Sequence, residues 1–235
     1  MNFKNQNIKQ YSVFIGLLAF LFFSIGLTAC DEEEIEEEEP VIFHEYVDLG
    51  LPSGLKWATM NVGAERPEDY GYYFSWGEVT EKDMYAWSES SYEYDYHEGT
   101  LLSFGIIDSC GNLTYDYDAA SVNWGDEWRI PTEKEFKELI DCCNWVWTNE
   151  NGVNGFIISS KAEGNTNSIF LPAGGFNSYK LTKVDEICSY WCANISDNDS
   201  PFYSTTFQGS PEEKKLGIIN LRYTGQTIRP VIRKD

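Results

Sequence analysis

Pro131-Thr132-Glu133-Lys134-Glu135-Phe136-Lys137-Glu138-Leu139-Ile140-Asp141-Cys142-Cys143 is the stretch that decides the class of this fold. Thr132 followed three residues later by Glu135 is a capping box, in which hydroxyl and carboxylate satisfy the first free amides of a helix. Pro131 blocks extension backward. Phe136, Leu139, Ile140 and Cys143 fall at i, i+3, i+4 and i+7, one apolar face, while Glu138 points away from it and is expected to be dispensable. A second, shorter helix is expected over Asp118 to Val122. The other apolar runs are short and bounded by turn residues: Tyr46–Leu49, Gly155–Ile158, Ser168–Leu171, Leu216–Tyr223 and Thr227–Ile232 read as strands. One or two helices among short antiparallel strands make an α+β domain. The Tyr- and Asp-rich stretch from Thr80 to Tyr117 has no clean period and reads as long loops, where binding functions concentrate.

Composition narrows the function. The chain has 235 residues, a net charge of −21, 42% hydrophobic and 16% aromatic residues, enough apolar surface for one folded domain. With 17 basic residues against 38 acidic and no basic cluster, it is no nucleic-acid binder, because phosphate contact needs Lys and Arg.

The N-terminus reads as an address. Lys4 and Lys9 precede an apolar run from Val13 to Leu27, and Leu27-Thr28-Ala29-Cys30 closes the segment. Fifteen residues are short for a bilayer span, which takes about 20, so residues 1–29 read as an export signal rather than a signal-anchor helix. Leu-Thr-Ala-Cys resembles the lipobox of bacterial lipoproteins, in which the Cys, here Cys30, is lipidated and becomes the mature N-terminus. Residues 30–40 follow as a tether with eight acids in the nine positions 31–39, ended by Pro40. Like charges at this density repel and keep a chain extended. The run resembles the surface-export signal of Bacteroidota lipoproteins, the plainer alternative being a solvated periplasmic spacer. The expected location is the outer membrane, lipid-anchored and facing the cell surface. Residues 40–235 still carry 15 basic and 30 acidic residues, so the domain itself is acidic.

Residues 41–235 carry a wider resemblance. Tyr46-Val47-Asp48-Leu49-Gly50-Leu51-Pro52-Ser53-Gly54-Leu55-Lys56-Trp57-Ala58-Thr59, then Asn61-Val62-Gly63-Ala64, Phe74-Ser75-Trp76-Gly77-Glu78, Trp128-Arg129-Ile130-Pro131-Thr132, Leu171-Pro172-Ala173-Gly174-Gly175 and Ile228-Arg229-Pro230-Val231 together resemble the Fibrobacter succinogenes major paralogous domain. The resemblance implies a single C-type-lectin-like domain with short twisted antiparallel sheets, related to the sulfatase-modifying, formylglycine-generating group. It also implies that first and last strands pair, bringing Val47–Leu49 near Arg229–Ile232. Tyr190-Trp191-Cys192-Ala193-Asn194 departs from the family's Tyr-Trp-Ser-Ser-Thr. Neither the copper-binding cysteine pair of the sulfatase-modifying enzymes nor the Glu-Pro-Asn and Trp-Asn-Asp triplets of calcium-dependent lectins occurs.

Chemistry-bearing motifs are sparse. His44 and His97 are the two histidines, and no nucleophile motif accompanies them. His44, at the tether edge, reads as a surface residue. Apart from Cys30 the cysteines are Cys110, Cys142, Cys143, Cys188 and Cys192, an odd number without a Cys-x-x-Cys pair. Cys188 and Cys192 are spaced for a bridge in an oxidising compartment, or for two buried thiols. Trp76 reads as core. Trp87, Tyr92, Tyr94 and Tyr96, with Trp191 and Asn194, are the candidate ligand-binding residues, because exposed Tyr and Trp rings stack on sugar faces and anchor protein interfaces. Asp197 and Asp199 are weak candidates for a calcium loop that lacks the Gly and terminal Glu of an EF-hand, an ordinary polar turn being the plainer reading. The expectation is a non-catalytic binding protein that uses no cofactor and takes a glycan or protein ligand through its loops. The alternative is a divergent enzyme of the sulfatase-modifying kind.

Overall fold

A computed structural model describes residues 44–91, 96–125, 127–196 and 200–233. In chain order the elements are β1 (Tyr46–Val47), β2 (Lys56–Ala58), α1 (Glu98–Ser103), α2 (Ala119–Trp124), β3 (Trp128–Arg129), α3 (Glu133–Cys142), β4 (Cys143–Glu150), β5 (Val153–Ser160), β6 (Ser168–Pro172), β7 (Phe176–Ser178), β8 (Lys180–Thr182), β9 (Cys188–Ile195), β10 (Tyr203–Gly209), β11 (Lys214–Leu221) and β12 (Val231–Ile232). Short 3-10 turns cover Trp87–Glu89 and Tyr115–Tyr117. The strands form four small antiparallel sheets ordered β1-β2-β12-β3, β4-β5-β6, β9-β10-β11 and β7-β8. The fold is α+β with short sheets and long connections.

α3 begins where its sequence dictates. Both halves of the capping box are made: Thr132 Oγ1 accepts from the Glu135 amide at 3.3 Å, and Glu135 accepts from the Thr132 amide at 2.9 Å. Phe136 and Leu139 are fully buried in the main core with Trp57, Leu55, Ile158, Tyr190, Phe207 and Val231. α2 also forms, starting one residue later and ending two residues later than its pattern suggests, with Asp118 outside it as the cap, accepting from the Ala120 and Ser121 amides. A second core gathers Phe74, Trp76, Ile107, Ala120, Trp191 and Ile228, which places Trp76 inside as expected.

Several expectations are corrected. Cys143 is buried but leaves the helix; it is the first residue of β4, which follows α3 without a turn. α1 forms within the stretch read as loop. β4, β9 and β10 were not legible as strands, though Cys143, Trp145 and Trp147 alternate inward along β4. β1 does not meet the last strand. Its partner is β2, and β2 in turn pairs with β12, Trp57 opposite Val231. Trp57 and Val231 are fully buried whereas Tyr46 and Val47 are half-buried, so the inner places in the sheet go to the former pair. β12 starts only at Val231: Pro230 has no amide to give a ladder, while the carbonyls of Thr227 and Ile228 serve Trp191 and Val62.

Glu138 is not idle. Its carboxylate accepts from the Ser53 amide at 2.9 Å and the Ser53 hydroxyl at 2.6 Å, pinning the Leu51–Gly54 turn to α3. Glu138→Ala is therefore expected to cost about 1–2 kcal/mol, at the low side of the range of about 1.5–3 kcal/mol for hydrogen bonds to a charged group, because the contact is open to water. Urea unfolding checks this. Ser53→Ala should cost less when added to Glu138→Ala than on its own, since the bond between the two side chains is then already gone and the bond that Ser53 Oγ accepts from the Leu55 amide at 3.2 Å is what remains to lose; full additivity would mean that the hydroxyl–carboxylate bond contributes nothing.

Candidate functional site

Two loop segments that are far apart in sequence meet at one arginine. Arg222, just after β11, is 2% exposed, and its guanidinium lies over the Trp76 ring, 4.9 Å from the centroid. It donates from Nη1 to the carbonyls of Tyr96 at 2.8 Å and Pro201 at 3.2 Å, and from Nη2 to Ser200 at 3.2 Å. Nε donates to the Tyr203 carbonyl at 3.1 Å and the Ser204 hydroxyl at 3.2 Å. Arg222 thus ties the end of the loop at Tyr96 to the loop before β10. Five donors in a fixed planar fork suit this task, and an ammonium would not reach as many carbonyls.

A continuous row of rings runs beside this anchor, starting from Phe202, whose carbonyl accepts from the Arg222 amide at 2.8 Å, and from Tyr223, the next residue in the chain. Trp87 packs on Phe202, centroids 5.4 Å apart, and edge-on against Tyr223 at 5.8 Å. Tyr223 meets Tyr179 at 6.2 Å, and Phe202 meets Tyr203 at 6.4 Å. Tyr179 stands at the tip of the β7-β8 hairpin, 66% exposed, at φ +59°. A bulky residue with positive φ is costly; here the bond from its amide to the Tyr85 carbonyl at 3.0 Å holds it. At the hairpin's base Gly175, φ +62°, passes so close to β8 that a Cβ would lie 2.1 Å from the Thr182 carbonyl oxygen, so only glycine fits.

A cleft of about 370 Å³ lies beside the loop, lined by Glu78, Thr80, Lys82, Ser91, Tyr96, Asp116 and Tyr117. Glu78 is ion-paired with Lys82 and accepts from the Ser91 amide at 2.8 Å. The Tyr115–Tyr117 turn stands between it and a second cleft of about 420 Å³, to which Tyr115 contributes along with Asp108, Asp118, Arg129 and Glu135. There the ionisable groups are committed to the fold. Asp118 accepts from three backbone amides, those of Ala120, Ser121 and Ile130, and burial pushes its carboxyl up to about 6 against their pull. Arg129 grips Glu135 through two bonds at 2.8 and 2.5 Å. Burial works to raise the Glu135 carboxyl, yet Arg129 and the Thr132 groups hold it below the usual range.

The candidate residues fare differently. Trp87 and Tyr96 are half-buried within the loop cluster, and Tyr96 also lines its cleft. Trp191 is corrected: it is 1% exposed, donates to the Phe74 carbonyl at 2.7 Å, and belongs to the second core because β9 is buried on both faces, Trp191 and Ala193 facing that core and Cys188, Tyr190 and Cys192 the main one. Asn194 borders a third cleft, of about 470 Å³, but both ends of its carboxamide are engaged. It accepts from the Glu133 amide at 2.8 Å, capping α3 from β9, and donates to Thr205 Oγ1 at 3.1 Å. Cys30, the tether, Tyr92, Tyr94, Asp197 and Asp199 lie outside the described residues. His44 is not a free surface group: it stacks on Trp124 at 3.8 Å with planes 8° apart, and burial lowers its pKa. Cys110, Cys142, Cys143, Cys188 and Cys192 are free thiols, with Cys188 and Cys192 both buried on β9 and unbridged. Among the described residues no three His, Cys, Asp or Glu side chains converge as a metal set.

Arg222, Tyr179, Phe202 and Tyr223 were missed from the sequence. An arginine at a strand end gives no sign of burial, and nothing local distinguishes these rings from core aromatics. Comparison with protein-family models, with characterised proteins and with solved structures returned no match for this chain.

Proposed function

We propose that this chain is a non-catalytic lipoprotein, anchored through Cys30 in the outer membrane and held off the cell surface by its acidic tether. Its domain, a C-type-lectin-like one resembling the Fibrobacter succinogenes major paralogous domain, binds a glycan or a protein through the loop cluster around Arg222. The observation that carries this reading is the row of rings from Tyr179 to Phe202, contributed by segments that a buried arginine, Arg222, ties together through backbone carbonyls. Rigid rings in a loop cluster that also borders a polar cleft through Tyr96 suit either ligand class: sugar faces stack on Tyr and Trp, and the same residues dominate protein hot spots.

The experiment uses intact cells making the full chain. Fluorescent glycan and host-protein panels are applied to wild type, Tyr179→Ala, Trp87→Ala and Cys30→Ser. A panel member should bind wild type and lose roughly tenfold or more in affinity with Tyr179→Ala, an exposed ring whose removal leaves the core intact. Trp87→Ala should weaken the same ligand further. Cys30→Ser should abolish lipid labelling and surface display together. Silence of wild type across both panels sinks the binding reading, and unchanged lipid labelling of Cys30→Ser sinks the anchor.

A further inference from the structure

The exposed edge of β4 stands apart from the other long strand edges of this molecule. All eight of its residues pair with β5, Cys143 opposite Ser160 through Glu150 opposite Val153. Among the described residues, the backbone of 144–150 makes no other hydrogen bond. A strand edge of this length presents a row of open donors and acceptors, and proteins ordinarily blunt such edges.

The other edges are blunted. On β6, the carbonyls of Phe170, Leu171 and Pro172 take bonds from Arg229, the Cys188 thiol and the Tyr190 hydroxyl. On β9, the Ala193 and Ile195 amides donate to Pro131 and Gly111. β11 opens with Lys214 and Lys215 and is bent at Gly217, φ +65°. β4 has no Lys, Arg or Pro, and Glu150 at its end is its sole charge.

We propose that the β4 edge pairs antiparallel with β4 of a second copy of this chain, about a twofold axis at Val146, so that the two β4-β5-β6 sheets become continuous. The strand's own chemistry selects this occupant. In that register Trp145 lies opposite Trp147 of the second copy, Asn144 opposite Thr148, and Val146 opposite itself. Each pair shares a sheet face, as an antiparallel ladder requires. No two like charges meet, although residues 40–235 carry twice as many acidic as basic residues and copies repel elsewhere. Val146, 57% exposed, is covered by its counterpart. Trp145, half-buried against Phe156 at 5.2 Å and Phe207 at 5.4 Å with Lys214 Nζ 6.0 Å from its ring centroid, and Trp147, half-buried against Phe156 at 4.9 Å, each gain an aromatic neighbour across the seam.

Cysteine cross-linking of the full-length protein, purified in detergent, tests the pairing. Val146→Cys is made in a Cys110→Ser background, which removes the exposed native thiol. Opposed Cα atoms of an antiparallel pair are about 4.5–5.5 Å apart, within disulfide reach. Mild oxidation should therefore give a covalent dimer on a non-reducing gel. Ile219→Cys, on β11 and 45% exposed, is the control for chance collision and should give far less dimer. Adding Asn144→Lys with Thr148→Lys sets like charges opposite each other twice and should reduce dimer from Val146→Cys by roughly tenfold, with the melting curve of the monomer unchanged. Equal dimer from Val146→Cys and Ile219→Cys overturns the proposal, as does cross-linking indifferent to the two lysines.

Discussion

Replacing Arg229 with Met is expected to remove about 4–5 kcal/mol of stability, enough to unfold much of a marginally stable domain. Arg229 is wholly buried just before β12. Its Nε donates to Asn61 Oδ1 at 2.8 Å, Nη1 to the carbonyls of Ala58 and Thr59 at 3.2 Å each, and Nη2 to the Phe170 carbonyl at 2.9 Å. Burial pushes its pKa down to about 10, so the group keeps its charge at neutral pH, stabilised by neutral oxygens in place of water. Met fills similar space and leaves all four acceptors without a donor, each costing about 1–3 kcal/mol less whatever water restores. Arg229→Lys keeps the charge but cannot span Asn61, the β2 end and β6 together, and should still cost more than about 2 kcal/mol. Urea unfolding followed by Trp fluorescence gives both values. A loss under about 1 kcal/mol for Met would mean that the network is not made as described.

Phe136→Ala is expected to cost about 3–5 kcal/mol, above Leu139→Ala at about 2–5 and well above Glu138→Ala. The ring stacks on Phe207 with centroids 4.9 Å apart and planes 10° apart. It also meets Trp57 edge-on at 5.0 Å and Tyr190 at 6.5 Å. Phe136 is thus the point where α3, β2, β9 and β10 share one packing unit. Neighbouring rings fixed by their own strands cannot collapse into the space that it leaves, so the lost transfer energy comes with a cavity. The same unfolding series ranks the three variants. If Leu139→Ala proved the costlier by a clear margin, the weight of the core would lie further along the helix, away from the ring cluster.

α3 was legible because everything that makes it lies within a dozen residues: a proline stop, a hydroxyl and a carboxylate three apart, and an apolar repeat of helical period. The short helix α2 and parts of β5, β6 and β11 were legible for the same reason, though the role of Asp118 as the cap of α2 was not. Trp76 could be placed in the core from its motif alone. The candidate site was legible only as a region, in which Trp87 and Tyr96 stand as marked while Trp191 and Asn194 serve the fold.

The amino-acid sequence by itself thus determined an α+β domain with one well-capped amphipathic helix, an acidic surface and a Tyr-rich loop stretch. Tertiary structure alone decided which strands became neighbours and which polar groups went inside. β2 rather than β1 lies beside β12 because Trp57 and Val231 are the residues that must leave water. Asn194 caps a helix sixty-one residues before it, and Arg222 and Arg229 satisfy carbonyls brought to them from several segments. A buried amide or guanidinium looks the same in sequence as an exposed one; its partners are separated along the chain, and only folding sets them within hydrogen-bond distance.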